Sequence, residues 1–152
     1  MTEAYLVSAS LKSANLVRSG FKSADLSNAD LSNANLLACD LRSADLTQTK
    51  LADANLKKAN LMGANLEKAD LLGTQLTGAF YDKSTVFPQN FDPVKQGLHQ
   101  ISSGANLSGV DFKFAHFEGA DLLDADLTNA DLAQYSGQFL RQKLKPAFHR
   151  CI

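Results

Sequence analysis

The chain of 152 residues contains no tryptophan, two cysteines and three prolines, and it carries a formal net charge of −1. Two cysteines are too few for the disulfide framework of a small secreted domain, and we expect no bridge between Cys39 and Cys151. No apolar run could span a membrane, and the opening MTEAYLVSAS lacks the features of a signal peptide. These absences predict a cytoplasmic protein without membrane attachment, and the near-neutral charge argues against direct binding of nucleic acid.

Motifs that carry catalytic or metal chemistry are also missing. The three histidines, His99, His116 and His149, have no ligand spacing such as HExxH, and the cysteines form no CxxC pair. There is no GxSxG elbow, no phosphate-binding loop and no dinucleotide fingerprint. Exposed Asp residues provide no dry cleft that would shift their pKa values toward catalysis. We therefore predict a protein that is not an enzyme, with no catalytic residue, cofactor or metal site.

What the sequence does contain is an apolar residue at every fifth position. In residues 23–46, SADLSNADLSNANLLACDLRSADL, the leucines are Leu26, Leu31, Leu36, Leu41 and Leu46. Five residues turn an α-helix by about 500°, so these leucines would form no stripe along it. In a flat strand, an odd spacing would place successive leucines on opposite faces. The spacing therefore argues against both regular elements.

A second regularity accompanies the first, because a small residue stands two positions before each leucine, as Ala24 does before Leu26. Residues two apart lie on the same side of an extended chain. Each unit of five is then a short extended piece with two inward residues, followed by a corner. Such units fill residues 4–81 and 105–132, and repetition at a fixed short period is typical of a solenoid.

Units such as Ala24-Asp25-Leu26-Ser27-Asn28 resemble the pentapeptide-repeat family, whose motif is A(D/N)LXX. The resemblance implies an all-β fold, a right-handed quadrilateral parallel β-helix with four units in each coil. It implies that the central residue and the one two before it lie inside, and it says little about activity. The stretch Tyr81–Pro93 resembles an interruption found in cyanobacterial members, which indicates a cyanobacterial source.

The organisation expected from this pattern is one domain, residues 1–152, with an insertion at 82–104 between the two runs. Leu76 and Leu107 are 31 positions apart, which is not a multiple of five, so we interpret the segment as a true insertion. Asp92-Pro93 predicts the start of a short helix over 94–100. The insertion is either a structural plug or a functional loop. Its apolar residues would pack against the solenoid; they are Phe87, Phe91 and Leu98.

The two ends of the solenoid require covering, since an uncovered coil is a template for pairing with another chain. Residues 133–152 contain four basic residues and no acid. We predict that they form a C-terminal cap or tail, with a helix as one form of the cap and a nucleic-acid-binding arm as the alternative. At the other end little precedes the first inward pair, Ala4 and Leu6, which predicts a homodimer through the first coil or a frayed monomer.

With four units in a coil, residues twenty positions apart stack in columns on the outer surface, and five to six stacked coils would give a body about 24–29 Å long. The amides Asn15, Asn35, Asn55 and Gln75 form one expected ladder. Basic residues collect at one corner beside two apolar side chains. The candidate partner-binding residues there are Val17, Arg18, Leu37, Arg42 and Lys58.

Two functions remain open. The leading hypothesis is a scaffold or regulatory module that binds a protein partner of unknown identity. The alternative is a DNA mimic that binds DNA gyrase or another DNA-binding protein, as some members of the family do. Mimicry calls for a strongly acidic rod, whereas residues 1–132 contain sixteen acids against eleven bases.

Overall fold

The structure is a computed structural model, and it describes residues 3–113, 115–118 and 120–133. Residues 3–81 form a parallel β-helix in which each side of the coil forms one β-bridge with the coil twenty residues later. Two longer strands, β1 (Phe80–Tyr81) and β2 (His99–Gln100), pair in parallel. The described residues contain no α-helix and hence none that is long and apolar enough to cross a membrane.

The four sides each carry one column of bridged residues, and we number them in chain order. Side 1 carries Tyr5, Asp25, Asp45, Asn65 and Val86; side 2 carries Ser10, Asp30, Lys50 and Asp70; side 3 carries Asn15, Asn35, Asn55 and Gln75; side 4 carries Gly20, Asp40, Asn60 and Phe80. The predicted column of amides is present on side 3, and one step of the expected ladder is a hydrogen bond, from Asn55 Nδ2 to Asn35 Oδ1 at 3.0 Å.

The corners explain how a period of five is possible. At each corner a β-turn is closed by a backbone bond, such as the one from the Ala29 N–H to the Leu26 carbonyl at 3.0 Å. The third residue of the turn is left-handed, and its φ lies between 54° and 60° at every non-glycine corner from Glu3 to Lys68. Such a backbone is strained for residues with a side chain, so the ladder bonds between coils must hold it in place.

The predicted inward positions form the core of the first run. Leu26 and Leu41 are fully buried, and Cys39 is 1% exposed at a small-residue position, as the repeat predicts. Polar atoms that enter this core find partners: the Cys39 thiol donates to the Leu16 carbonyl at 2.8 Å, and the Thr49 hydroxyl donates to the Leu26 carbonyl at 2.9 Å. The first coil is less covered, because Leu6 is only partly buried there.

The interpretation of residues 82–104 as a true insertion is wrong. Ile101 follows Tyr81 by twenty residues and donates its N–H to the Tyr81 carbonyl at 2.8 Å, so the segment completes one more turn of the coil. Its register slips at two places: Val86 pairs 21 residues after Asn65, and β2 pairs 19 residues after β1. The slips do not cancel, because 13 positions separate Val86 from His99 where 15 separate Asn65 from Phe80, and they obscure this coil in the period of five.

The same segment closes the end of the first run. Phe87 stacks on Phe91 with ring centroids 4.9 Å apart and meets Tyr81 edge-on at 5.5 Å, while Leu98 is buried in the first core. The expected helix over 94–100 is wrong, because the chain forms turns at 93–97 and then β2. Asp92 caps these turns by accepting the N–H groups of residues 94 and 95. This packing supports the plug that we weighed against a functional loop.

The second run, residues 105–133, lies beside the first run and does not extend its stack. Its own ladder joins Asn106 to Asp126 and Asp111 to Asp131. Its core is a separate cluster that includes Phe112 and Phe117 and is completed by two residues of the first run, Met62 and Phe80. The expectation of five to six coils on one axis is therefore wrong. The predicted C-terminal cap at 133–152 lies outside the described residues beyond Ala133.

Candidate functional site: a groove between the two runs

Side 4 of the first run holds the second run through an aromatic cluster. Phe80 stacks on Phe112 with ring centroids 5.4 Å apart and meets Phe117 edge-on at 5.5 Å. Phe80 is 1% exposed and Met62 6% exposed, although the repeat pattern assigns both to outward positions. An outward Phe or Met side chain contributes hydrophobic stabilisation only if another surface removes it from water. These two residues therefore indicate, from the sequence, that another surface covers side 4.

One edge of this contact is an ion cluster at the corner between sides 4 and 1. Arg42 donates from Nε and Nη2 to the two oxygens of Asp40 at 2.8 and 2.7 Å, and from Nη1 to Glu118 Oε2 at 3.2 Å. Burial acts to raise the pKa of Asp40, but the bonds and charge of Arg42 outweigh it and lower that pKa. The bidentate pair orients Arg42 within the first run, and the single contact with Glu118, whose side chain is 68% exposed, is the one that this cluster makes to the second run.

The opposite edge lies at the corner between sides 3 and 4. Lys58 Nζ lies 2.5 Å from Asp111 Oδ2, and the hydrogen bond and charge of this lysine lower the pKa of Asp111. Between the edges, Asn60 Nδ2 donates to the His116 carbonyl at 2.5 Å. The second run is thus held along both corners of side 4 and at its centre.

A groove runs between the second run and the corner of sides 4 and 1. It consists of two adjoining cavities of about 320 and 250 Å³ that share Met62, Asp82 and Ala120. The larger cavity is also lined by Lys83, Ile101, Ser102, Ser103 and Asp121. The smaller cavity is also lined by Lys22, Arg42, Ser43, Gly63, Ser84 and Glu118. The larger cavity has an apolar floor, the smaller one is lined mainly by polar and charged residues, and the rim carries charges of both signs.

Asp82 is the best-anchored polar group of the groove. Its Oδ1 accepts the Gly63 N–H at 3.0 Å, the Ser84 N–H at 3.0 Å, the Ser84 hydroxyl at 2.7 Å and the Thr85 hydroxyl at 3.2 Å. Partial burial acts to raise the pKa of Asp82, but these hydrogen bonds outweigh it and lower the pKa. Asp82 is therefore a rigid, charged carboxylate at the cavity wall.

The residues proposed from the sequence are separated by side 4. Val17 and Leu37 are half-buried and Arg18 is exposed at the corner of sides 3 and 4, where Lys58 binds the second run. Arg42 lies at the other corner, is buried, and lines the groove. The structure thus gives Arg42 and Lys58 internal partners in the second run, which the column pattern could not reveal.

The described residues contain no group of three or more His, Cys, Asp or Glu side chains placed to hold a metal ion. The acids nearest the groove already accept hydrogen bonds, as Asp82 and Asp121 do from backbone N–H groups. What the groove offers is a shaped surface with an apolar floor and fixed charges, which is suited to binding.

Comparisons with known proteins agree with this coil. Pentapeptide repeats match residues 1–36, 39–78 and 103–134. The crystal structure of alr5209, a pentapeptide repeat protein from Nostoc PCC 7120, is 46% identical, with a TM-score of 0.64 over 64% of this chain and 81% of that one. Rfr23, a pentapeptide repeat protein from the cyanobacterium Cyanothece 51142, is 37% identical, with a TM-score of 0.43 over 57% of this chain and 63% of that one. No curated protein matches the chain.

The family match covers more than half of the residues, and the bridges twenty residues apart supply the four-sided coil that the motif implies. The chain belongs to the pentapeptide-repeat family, and its fold is the right-handed β-helix of that family.

Proposed function

We propose that this protein is a non-enzymatic module that binds a protein partner in the groove between its two runs. The observation that carries the proposal is the groove itself, which exists because the second run lies beside the coil and not on top of it. The coil wall is held by its ladder bonds and the second run by the aromatic contacts of Phe80 with Phe112 and Phe117, so the surface is formed before a partner arrives. A preformed surface lowers the entropy lost on binding.

The corner of sides 3 and 4 belongs to the same proposal as a second contact area. Val17, Leu37 and Arg18 lie there, beside the Lys58 to Asp111 ion pair. The homodimer through the first coil also remains part of the proposal, supported by Tyr5, which is 86% exposed at that end. We retain a cytoplasmic location and a cyanobacterial source, the latter supported by the identity with the Nostoc protein.

DNA mimicry is the weaker alternative. The eleven bases of residues 1–132 offset most of the sixteen acids, and the side-by-side arrangement replaces a long rod with a shorter, broader body. Duplex DNA presents a regular density of negative charge along its axis. On side 2 a base interrupts the acids, because Lys50 lies between Asp30 and Asp70, and side 3 carries no charge in its column.

The proposal is tested by site-specific photo-crosslinking in extracts of the source organism. A benzophenone residue in place of Lys22 or Ser103, both at the groove, should capture one discrete protein, whereas the same residue in place of Asn33 on the outer surface should not. The captured protein, once identified and purified, should bind the wild-type chain in isothermal titration calorimetry.

A matched pair of variants then locates the binding site. The Ser103 hydroxyl donates to the Leu123 carbonyl and the Ser108 hydroxyl to the Thr128 carbonyl, both at 2.9 Å, but Ser103 lines the groove. Ser103→Arg should weaken binding at least about tenfold by filling the groove, while Ser108→Arg, which loses an equivalent hydrogen bond, should bind like wild type. Equal affinity of both variants for the purified protein would contradict a site in the groove.

A further inference from the structure

We propose that the groove recognises an extended peptide segment of the partner through a lysine or arginine side chain, whose charged end lies at Asp82 and Asp121. This inference rests on the proposed function and names the chemistry of the partner. The larger cavity supplies the two parts that a basic side chain needs, an apolar channel and a negatively charged end.

The apolar part of the cavity suits the stem of such a side chain. Met62 and Ile101 are 6% and 3% exposed, and together with Ala120 they line the cavity below its polar rim. Lysine and arginine bury their methylene groups against apolar surface while the charged end stays at a polar one. A purely aliphatic side chain would leave the rim carboxylates without a cation to bind, and an acidic side chain would be repelled by them.

The two carboxylates have oxygens available for a cation. All four hydrogen bonds that Asp82 accepts end on Oδ1, which leaves Oδ2 without a hydrogen-bond donor in the described structure. Asp121 uses Oδ1 for the Leu123 N–H at 3.2 Å. The carboxylate of Asp82 is already oriented by its hydrogen bonds, and its pKa is lowered, so it is charged. A bound cation therefore forms a charge-assisted hydrogen bond without an entropic cost for ordering this side chain.

The charge around the groove favours a basic partner. The second run, which forms one wall, carries six acidic residues and one basic residue. Arg42 adds little positive potential, because Asp40 binds it through both oxygens. Of the described residues that line the larger cavity, Lys83 alone is basic and opposes a cation. Its removal should therefore strengthen binding, a result that a merely structural role for the rim would not produce.

The shape of the groove indicates an extended segment. Its corner wall follows Lys22, Arg42, Met62 and Asp82, which are successive coils of the β-helix. Three steps between coils span about 14 Å, the length of about four residues of extended chain. The partner segment thus presents one basic side chain to the larger cavity and lays its neighbours along the smaller one.

The probe for the test is a synthetic peptide with the sequence acetyl-Gly-Ser-Leu-Arg-Leu-Ser-Gly-amide, titrated into the full-length, isotope-labelled protein at low salt. Saturable amide shifts are expected at Ser102, Ser103 and Asp121, and the same peptide with Gln in place of Arg should produce none. Asp121→Asn should weaken the affinity at least about tenfold, and Lys83→Gln should strengthen it several-fold. The control Asp124→Asn removes an exposed acid that does not line the groove, and its affinity should match wild type.

Equal shifts with the Arg and Gln peptides, or an unchanged affinity in Asp121→Asn, would overturn the inference. If the peptide binds only after deletion of residues 134–152, the occupant of the groove is the basic C-terminal segment of the chain itself, and the assignment to a partner is wrong. If the purified partner is blocked by Ser103→Arg but not affected by Asp121→Asn, the basic side chain is refuted while the protein-binding function stands. Capture of no protein at the groove would instead refute the function.

Discussion

Replacement of Phe80 by alanine should release the second run while leaving the first run folded. Phe80 is 1% exposed and lies between Phe112 and Phe117, with ring centroids 5.4 and 5.5 Å away. A buried Phe→Ala change costs about 3–5 kcal/mol, and each aromatic pair contributes about 0.5–1.5 kcal/mol within that. A run of 29 residues has too small a core to fold alone. The loss should therefore appear as local unfolding of residues 105–133.

Hydrogen exchange followed by mass spectrometry measures this loss for each run. In Phe80→Ala, amides that bond within the second run, such as those of Leu107 and Phe112, should exchange at least about a hundredfold faster, the factor that corresponds to about 3 kcal/mol. Amides of the first core, such as those of Leu26 and Leu46, should keep their protection.

The matched control is Phe87→Ala, which removes the same side chain from the plug at the end of the first run. Phe87 contacts Tyr81 and Phe91 and belongs to the first core, so its loss should raise exchange in the last coil of the first run. Equal loss of protection in both runs of Phe80→Ala would show that they unfold as one stack and would refute this reasoning. Unchanged exchange in the second run would refute it equally.

Three further predictions follow from individual side chains. Because the folded pKa of Asp40 lies below its ordinary value of 3.8, its stabilising effect is present above that value and is lost as the pH falls through the folded pKa; urea unfolding below pH 4 should show a smaller loss for Asp40→Asn than for wild type. Burial raises the pKa of the Cys39 thiol to about 11, so peptide mapping should find it unlabelled by a thiol reagent at pH 8 until urea unfolds the chain. Leu41→Lys buries a charge and should prevent soluble expression, whereas Asn33→Lys on the surface should change stability by less than about 1 kcal/mol; similar behaviour of the two would show the inward assignment to be wrong.

The coil of the first run was predictable because its cause is local and repeats. Every unit needs a large and a small inward residue and a corner, so the pattern recurs along the chain and identifies Leu26, Leu41 and Cys39 as core residues. The coil formed by residues 82–101 does not follow from the same reasoning, since one extra residue before Val86 and two fewer between Val86 and His99 break the period.

The groove could not be predicted from columns of the first run, because it depends on where the second run lies. Arg42 and Glu118 are 76 positions apart, and no periodicity of the sequence relates them. The column pattern predicts an exposed basic corner that includes Arg42, whereas the structure buries this side chain against Asp40. An outward Phe80, in the column that otherwise holds Gly20, Asp40 and Asn60, was the clue that side 4 is covered.

The side-by-side arrangement creates the groove, and zero-length crosslinking tests it most directly. Carbodiimide joins an amine to a carboxylate in direct contact, and Lys58 Nζ lies 2.5 Å from Asp111 Oδ2. The pair Lys113 and Asp131, 2.7 Å apart within the second run, is the internal control. Mass spectrometry of the digested monomer should find both crosslinks. If the runs instead formed one continuous stack, Lys58 and Asp111 would lie more than two coils, roughly 13 Å, apart along the axis. Recovery of the Lys113 to Asp131 crosslink without the Lys58 to Asp111 crosslink would contradict the side-by-side arrangement and therefore the groove.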